Sequence, residues 1–333
     1  MNGENFRGHA VHRSYLIVHR SPWLPPPHAR TTLNVGIYGT ESRRFRVATL
    51  GQEFVGSYRL LNVVKTGQTS QVWAVIDDRS RERYAIKMLL QDFRKDREQV
   101  GYLKQEYTVA KDLDSPYVIH IYEYGVDRGS PYVVMELFPA GNMKELILHG
   151  REKTLHLIPK IIENAALGLE YFHSQGWIHR DIKPDNFMVD FEGTVKLIDF
   201  ALAQKPKTGL AKLFGGKTKK IQGTRSYMSP EQIRGLPLDF RADIYSFGCT
   251  IHELVCGKLP FAAPSANELL QKHLTSPPPA LEGIDTNVNK DFALLIRSCM
   301  AKKPQDRPES MGTFLTALRS MKVFKVMPKP PVA

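Results

Sequence analysis

The sequence predicts an α+β protein of two lobes, a smaller lobe built on β-strands and a larger lobe built on helices. Two observations lead to this prediction. Between residues 58 and 138, short runs of β-branched and aromatic residues alternate with polar turns, whereas after Gly141 the apolar residues recur at helical spacing. Because each half buries its own apolar face, a cleft is expected between them.

Five strands and one helix are predicted in the first lobe. The runs YRLLNVV, QVWAVI and ERYAIKMLL are joined by polar turns and indicate three antiparallel strands. The next segment, FRKDREQVGYLKQEYTVAKDL, has helical spacing and ends before Pro116. Two further strands follow in VIHIYEYG and PYVVMELF.

The second lobe is predicted to be mainly helical. The run LHLIPKIIENAALGLEYFHSQG is amphipathic, and ADIYSFGCTIHELVCG is apolar nearly all round, which is typical of a helix buried in a core. Two final helices are predicted at roughly Asn289 to Met300 and Ser310 to Met321.

Charge is concentrated in two stretches of the chain. Of the formal net charge of +12 over 333 residues, residues 1–50 contribute seven Arg against two Glu, and residues 200–224 contribute six Lys and no acid. The remainder is nearly balanced, which argues against a general basic face and against nucleic acid as the main partner. The Arg, His and Pro content of residues 1–50 predicts a disordered or loosely docked arm, or else a start codon assigned too early.

Membrane insertion and disulfide bonding are not expected. No apolar run approaches the roughly 18 residues of a spanning helix, and the first residues lack a signal-peptide pattern, so the predicted compartment is the cytoplasm. Cys249, Cys256 and Cys299 form no C-x-x-C pair and lie among apolar residues, which favours free thiols.

A lysine on a predicted strand gives the first indication of chemistry. Lys87 lies in YAIKML, where its ammonium would point into the cleft and would be costly without a partner. Glu106, nineteen residues later on the predicted helix, is the best available counter-ion. Such a pair can hold a cation against a nucleotide phosphate, because phosphoryl transfer depends on positioned positive charge.

The run HRDIKPDN, from His179 to Asn186, follows in the second lobe. Together with the strand lysine it resembles the Hanks-type protein kinase family from about Tyr58 to Met321, and the wording GTRSYMSPEQIRG is similar to that of bacterial members. The resemblance implies a bilobal protein-kinase fold: an arm over 1–50, an N-lobe with one regulatory helix over 51–137, a C-lobe over 138–321 and a tail over 322–333.

The resemblance assigns roles to the charged residues. Asp181 would accept or orient the proton of the substrate hydroxyl, and Lys183 would neutralise the transferred phosphoryl group. Asn186 and Asp199, which ends the apolar run VKLIDF, would hold Mg²⁺, with Mn²⁺ as a possible substitute. Lys87 and Glu106 would complete the catalytic set.

Two motifs depart from the family pattern. Ala201 follows Asp199 and Phe200 where the family has glycine, which puts switching between active and inactive arrangements in doubt. The phosphate-covering loop reads KTGQTSQV from Lys65, so that only Gly67 of its three glycines remains. Ser70 is a small replacement, whereas Lys65 would restrict the turn and add a cation near the phosphates.

Further residues are assigned to ATP by the same resemblance. Val72 and Ala85 would form the roof of the adenine site and Met188 its floor. Met135 would be the gatekeeper, and the backbone of Glu136 to Phe138 the hinge. Plain core packing remains the alternative for Met135 and Met188. The full set of predicted cofactor-binding residues is Lys65, Gly67, Ser70, Val72, Ala85, Lys87, Met135, Glu136, Phe138 and Met188.

Four residues are expected to support the site. Glu231 would form a buried ion pair with Arg307, and Asp243 would accept hydrogen bonds from the catalytic-loop backbone. Thr224 would bridge Asp181 and Lys183. With Lys183 two positions after Asp181, this bridge points to serine and threonine substrates.

The segment between Asp199 and Glu231 contains the basic run KPKTGLAKLFGGKTKK. Because Arg180 precedes Asp181, a phosphate on Thr208 or Thr218 could pair with Arg180 and order this segment. Two alternatives stay open: a flexible loop whose lysines maintain solubility, and a loop that attracts acidic substrates or a nucleic-acid backbone.

The sequence is therefore predicted to encode a serine/threonine protein kinase that uses ATP and Mg²⁺, phosphorylates protein substrates and itself, and has no membrane span. A pseudokinase scaffold is the main alternative, suggested by Lys65 and Ala201. A protein that binds nucleic acid or an acidic surface through its basic arm is a third class. Substrate, activating signal and oligomeric state do not follow from the sequence.

Overall fold

The structure is a computed structural model that describes residues 54–206 and 222–330. The predicted arm over residues 1–50 and both predicted phosphorylation sites, Thr208 and Thr218, lie outside the described residues. Within the described ranges the chain forms a strand-rich lobe followed by a helical lobe, as the sequence predicts.

The first lobe is built on a six-stranded antiparallel sheet. Its strands are β1 (Phe54–Val55), β2 (Tyr58–Thr66), β3 (Ser70–Asp77), β4 (Arg83–Leu89), β5 (Ile121–Asp127) and β6 (Ser130–Glu136). They are arranged in the order β1-β2-β3-β4-β6-β5, and only the short β1 was not predicted. Because side chains alternate along a strand, Ile86 and Met88 of β4 pack in the apolar cluster on one face, and Lys87 points to the other.

Helix α1 (Arg97–Ala110) covers the face of the sheet to which Lys87 points. Asp96 caps it, since the carboxylate accepts hydrogen bonds from the backbone of the first turn. Leu103 and Val109 are buried in the main core, and Glu106 lies on the same side of the helix with only 3% of its surface exposed. The apolar face of α1 therefore carries Glu106 against the sheet.

The second lobe contains a further set of helices around the main core. They are α2 (Met143–His149), α3 (Arg151–Thr154), α4 (Ile158–Ser174), α5 (Pro230–Ile233), α6 (Arg241–Cys256), α7 (Ala266–Thr275), α8 (Leu281–Ile284), α9 (Lys290–Cys299) and α10 (Met311–Arg319). Helix α6 is buried on all sides from Ala242 to Val255, as its apolar sequence predicts. Helices α2, α3, α5, α7 and α8 were not predicted.

A small three-stranded sheet places two functional segments side by side. Its strands are β7 (Gly141–Asn142), β8 (Phe187–Val189) and β9 (Val195–Leu197). In the antiparallel register Phe187 pairs with Leu197, so the residue before β8 and the residues after β9 lie at one end. The amide of Ile198 donates to the carbonyl of Asn186 at 3.0 Å. This register brings the catalytic loop to the strand end that carries Asp199.

No helix within the two described ranges has both the length and the apolar character needed to cross a membrane. The three cysteines are free thiols, as predicted; Cys249 and Cys299 are buried and Cys256 is partly buried. Burial raises the pKa of Cys299 to about 12, which keeps this thiol protonated.

Candidate active site

The catalytic loop, residues 179–186, is anchored through its backbone by one buried carboxylate. Asp243, at the start of α6, accepts hydrogen bonds from the backbone amides of His179 at 2.6 Å and Arg180 at 2.8 Å. Its Oδ2 also lies 3.0 Å from Nε2 of His173. Arg180 has a φ of 71°, a left-handed conformation that is uncommon for a residue with a side chain. The anchor therefore fixes a loop conformation that the isolated chain would rarely adopt.

Three residues form a hydrogen-bonded triangle at the centre of the site. The ammonium of Lys183 lies 2.5 Å from Oδ2 of Asp181 and 2.8 Å from the hydroxyl of Thr224. The amide and the hydroxyl of Thr224 both donate to Oδ1 of Asp181 at 2.9 Å. The bridge that the sequence predicts is thus present in the structure, and it orients the Asp181 carboxylate.

Lys87 joins the two lobes through carboxylates on each side. Its ammonium lies 2.7 Å from Oε2 of Glu106 and 3.7 Å from Oδ1 of Asp199. Burial lowers the pKa of Lys87, but the charges of Asp199 and Glu106 outweigh burial, so the pKa is raised and the ammonium stays charged. Burial likewise raises the pKa of Asp199, yet Lys87, His179 and Lys183 reverse the shift and lower it.

Glu106 is the least stabilised carboxylate of this network. Burial raises its pKa, the charge of Lys87 lowers it, and the charge of Asp199 raises it again. The net direction is upward, because the side chain is nearly inaccessible to water and shares the ammonium of Lys87 with a second carboxylate.

Asn186 and Asp199 provide oxygen ligands of the kind that Mg²⁺ prefers. The amide nitrogen of Asn186 donates to the backbone carbonyl of Asp181 at 2.8 Å, which leaves the side-chain oxygen of Asn186 available to a cation. The Asp199 side chain is 37% exposed. Within residues 54–206 and 222–330 no three His, Cys, Asp or Glu side chains form a metal cluster. Two protein oxygens fit Mg²⁺ bound with a nucleotide, since phosphates and water complete its coordination.

The residues after Asp199 explain how alanine is accommodated. Phe200 is fully buried; its ring stacks on Phe172 at 5.2 Å and contacts the ring of His179 edge-on at 5.8 Å. The positive φ, 66°, lies at Asp199, and Ala201 is not among the residues with positive φ. The side chain of Ala201 therefore introduces no backbone strain in this conformation.

The phosphate-covering loop is a tight connection between β2 and β3. Lys65 is the partner of Val72 in the strand register, and its side chain is exposed. The amide of Gly67 donates to the carbonyl of Ser70 at 2.8 Å, which closes the turn. Gly67 is not among the described glycines that have a positive φ. Lys65 lies in β2 beside a register irregularity between Val63 and Lys65, and it is not among the residues with positive φ.

The residues assigned to adenine lie on the strands that approach the cleft. Ala85 pairs with Met135 across β4 and β6, and Val72 pairs with Lys87 across β3 and β4. Met188 is half-buried on β8. The assigned residues are therefore distributed over both lobes, as a site between lobes requires.

An ion pair at the hinge was not anticipated. Lys196 on β9 lies 2.8 Å from Oε2 of Glu136, and its ammonium is 5.8 Å from the centre of the Phe138 ring. The same Glu136 oxygen accepts a longer hydrogen bond, 3.4 Å, from the amide of His120. Since Glu136 ends β6, this pair connects the predicted hinge to the sheet of the second lobe. The two residues are 60 positions apart, and no local pattern links them.

The predicted pair between Glu231 and Arg307 is buried and bidentate. The guanidinium nitrogens lie 2.6 Å and 2.8 Å from the two carboxylate oxygens, and Nη1 also donates to the carbonyl of Arg241. The pair ties α5 to the segment before α10. Its geometry supports the architecture and places no charge in the cleft.

A cavity of about 320 Å³ lies between α1 and the loop after Asp199. It is lined in part by Arg97 and Arg180. The Arg180 guanidinium donates to the carbonyl of Leu202 at 3.3 Å and to the side chain of Gln222 at 3.2 Å. Its Nε is buried and has no hydrogen-bond partner among the described residues.

Comparison with known proteins agrees with this geometry. The family model described as protein kinase domain matches residues 58–318. The serine/threonine-protein kinase PknA of Mycobacterium tuberculosis is 30% identical over 287 residues, which are 84% of this chain and 65% of that protein. PrkC of Bacillus subtilis, also a serine/threonine-protein kinase, is 31% identical over 266 residues, 78% of this chain and 40% of that protein.

A probable serine/threonine-protein kinase of Clostridium acetobutylicum is 30% identical over 279 residues, 82% of this chain and 41% of that protein. The chain thus spans 40% to 65% of the length of these three bacterial relatives. The predicted resemblance is confirmed: because the family model matches most of its length, the chain belongs to the protein kinase domain family.

Proposed function

We propose that the chain is an active serine/threonine protein kinase that transfers the γ-phosphoryl group of ATP to hydroxyl groups of proteins and of its own chain. The observation that carries the proposal is the triangle of Asp181, Lys183 and Thr224, beside the network of Lys87, Glu106 and Asp199. Within each of these two sets the side chains already contact one another, and together the sets supply the positioned charges that phosphoryl transfer needs.

Asp181 would receive the substrate hydroxyl. Thr224 occupies Oδ1 through two hydrogen bonds, so the substrate proton would approach the remaining lone pairs of the carboxylate. Lys183, held between Asp181 and Thr224, would stabilise negative charge on the phosphoryl oxygens during transfer. The Thr224 bridge, together with Lys183 two positions after Asp181, supports serine and threonine as acceptors.

Lys87 would hold the phosphates of the nucleotide, and Glu106 would hold Lys87. Asn186 and Asp199 would bind a divalent cation, for which we propose Mg²⁺, with Mn²⁺ as an alternative. When bound, the cation supplies positive charge that neutralises the phosphate oxygens. We also propose a cytoplasmic location, which the three free cysteines support.

The test is the intact mass of the purified chain before and after incubation with ATP and Mg²⁺. Gains in steps of one phosphate are expected, and they should be absent from an Asp181→Asn variant and from a sample without divalent cation. If the wild type gains no mass and does not phosphorylate an added protein while it still binds ATP, the scaffold alternative replaces this proposal.

Control by phosphorylation is a second part of the proposal. A phosphate on Thr208 or Thr218 would enter the cavity beside Arg97 and Arg180, where Nε of Arg180 has no described partner. Mapping of phosphorylated residues in fully active protein tests it. Modification of either threonine is expected, and full activity with both unmodified would contradict this control.

A further inference from the structure

A second concave surface lies on the helical lobe, away from the active site. It is a groove of about 590 Å³ between the start of α4, the end of α10 and the residues that follow α10. The groove is at the first turns of α4, whereas the catalytic loop follows the last turn of this 17-residue helix. The two sites are thus separated by about 25 Å, the length of the helix. None of the residues that line the groove belongs to the proposed catalytic set. We call it the tail groove.

The apolar floor of the tail groove is fixed to the core. Leu318, Val323 and Phe324 line it and are each at most 6% exposed. The amide of Asn289 donates to the carbonyl of Val323 at 2.9 Å, and the amide of Lys325 donates to the carbonyl of Asn287 at 2.8 Å. Backbone pairing of this kind gives the groove a preformed wall, which lowers the entropic cost of binding.

The rim of the tail groove is positively charged. Four cations line it, Lys160, Arg319, Lys322 and Lys325, against the single carboxylate of Glu163. Glu163 pairs with Arg319 at 2.8 Å, but both side chains are more than one third exposed, so the pair is weak in water. The ammonium groups of Lys160 and Lys325 bond only to backbone carbonyls in the described ranges, which leaves their charge uncompensated.

Apolar side chains stand in solvent beside these cations. Met327 lines the groove and is 52% exposed, and its neighbour Val326 is 72% exposed. Phe191, which precedes the residue whose carbonyl Lys160 binds, is 74% exposed. A basic rim with exposed apolar side chains is complementary to a chain that carries both acidic and apolar residues.

We propose that the tail groove docks an acidic, apolar-containing segment of a partner protein. The positive charge of the rim selects an acidic occupant over the basic segments of this chain. The basic arm over residues 1–50 and the lysine-rich run of residues 200–224 carry the same sign as the rim and would be repelled, and a second copy with net charge +12 is disfavoured for the same reason. The apolar floor favours a protein segment over a nucleic-acid backbone. A docked partner would present its hydroxyl groups to the kinase at raised local concentration.

The experiment measures binding of a fluorescent peptide of alternating Glu and Leu to the full chain at physiological salt. We expect it to bind more tightly than matched peptides with Lys in place of Glu or Ser in place of Leu. A Lys322→Glu/Lys325→Glu variant should weaken binding by roughly tenfold or more, because two attractive rim charges become repulsive. Met327→Ser should weaken it less, and Lys258→Glu, an exposed lysine outside the groove, should leave it unchanged.

Several results would overturn the proposal. They are equal binding of the Glu/Ser peptide, no loss in the Lys322→Glu/Lys325→Glu variant, or no binding at all. Binding of polyuridylate RNA or of phosphatidylserine vesicles that depends on the same lysines, and that displaces the peptide, would replace the protein partner with nucleic acid or with a membrane surface. Phosphorylation of a protein substrate without docking should be unaltered in the variant, so failure here is separable from failure of the proposed kinase function.

Discussion

Two loops meet the cleft from opposite lobes, and they are held in different ways. Residues 179–186 are fixed by the buried carboxylate of Asp243 and by hydrogen bonds among Asp181, Lys183 and Thr224. Residues 65–72 are held by the strand register, by backbone hydrogen bonds at Gly67 and Thr69, and by one exposed hydrogen bond from Gln71 to Thr66, and Lys65 is exposed. The loop that carries the predicted catalytic charges is thus fixed by a buried carboxylate, whereas the predicted phosphate-covering loop is fixed without any buried charge.

This difference explains where the sequence departs from its family and where it does not. A charge held by buried partners cannot be replaced without leaving one of those partners unpaired, which costs free energy. A solvent-exposed turn tolerates Lys65 and Ser70, because neither is forced into a strained conformation or a buried environment. We therefore expect the departures to matter much less than their number suggests.

The largest effect on activity is expected from a buried charge of the predicted active site. Lys87→Met removes the ammonium that contacts Glu106 and Asp199 and should reduce kcat/KM for phosphate transfer by roughly 10²- to 10³-fold, as loss of a preorganised charge does. Lys104→Met, an exposed lysine of α1, is the matched control and should keep full activity. Similar losses in both variants would mean that Lys87 has no specific role.

Removing the Asp243 carboxylate should lower both the stability and the activity of the protein. Asp243→Ala leaves the amides of His179 and Arg180 without their acceptor, and the free energy of unfolding should fall by about 1–3 kcal/mol for each buried donor left unpaired. Chemical denaturation measures this. Asp239→Ala removes a carboxylate whose ion pair with Arg241 is half-exposed and should cost less than about 1 kcal/mol. Equal losses would contradict the anchoring role.

The pH dependence separates the two carboxylates that contact Lys87. The pKa of Glu106 is raised and that of Asp199 is lowered, so a falling pH protonates Glu106 first. As the pH falls, kcat/KM should therefore decline before Asp199 is protonated, because Lys87 loses its closest charged partner. A Glu106→Gln variant should be less active and should lack this acid limb. An unchanged acid limb in that variant would assign the titration to another group.

A substitution in the predicted phosphate-covering loop, residues 65–72, should have only a small effect on activity. Lys65→Met removes an exposed cation, and the KM for ATP should rise by no more than roughly fivefold, since an exposed charge contributes about 1 kcal/mol or less. The kcat should hardly change. A loss comparable with that of Lys87→Met would show that Lys65 is a main phosphate ligand and that the loop is not merely a cover.

The smallest effect is expected at Ala201. Restoring glycine by Ala201→Gly relieves no backbone strain, because the positive φ lies at Asp199. The rate of phosphate transfer should stay within about twofold of wild type, and any difference should come from the greater freedom of glycine. A large gain in rate would instead mean that Ala201 holds the segment in an inactive arrangement.

The sequence predicted the charged residues of the site better than their surroundings. Lys87 and Glu106 could be paired because a lysine among apolar strand residues needs a counter-ion, and Glu106, nineteen residues later on the predicted helix, is the best one available. The Lys196–Glu136 pair could not, because it depends on how β9 meets the end of β6 across the lobes. The left-handed conformations of Arg180 and Asp199 were also not predicted, since residue type alone does not determine where this uncommon conformation occurs.

The most direct test of the account compares wild type with a variant that restores glycine at both departures, Lys65→Gly/Ala201→Gly. Phosphate transfer from ATP to a protein substrate is measured in the presence of Mg²⁺. We predict that the wild type transfers phosphate and that the rate of the double variant differs from it by less than roughly fivefold, because the residues held by buried charges and hydrogen bonds determine the chemistry. An inactive wild type beside an active double variant would contradict the account and identify the natural chain as a scaffold disabled at these two positions.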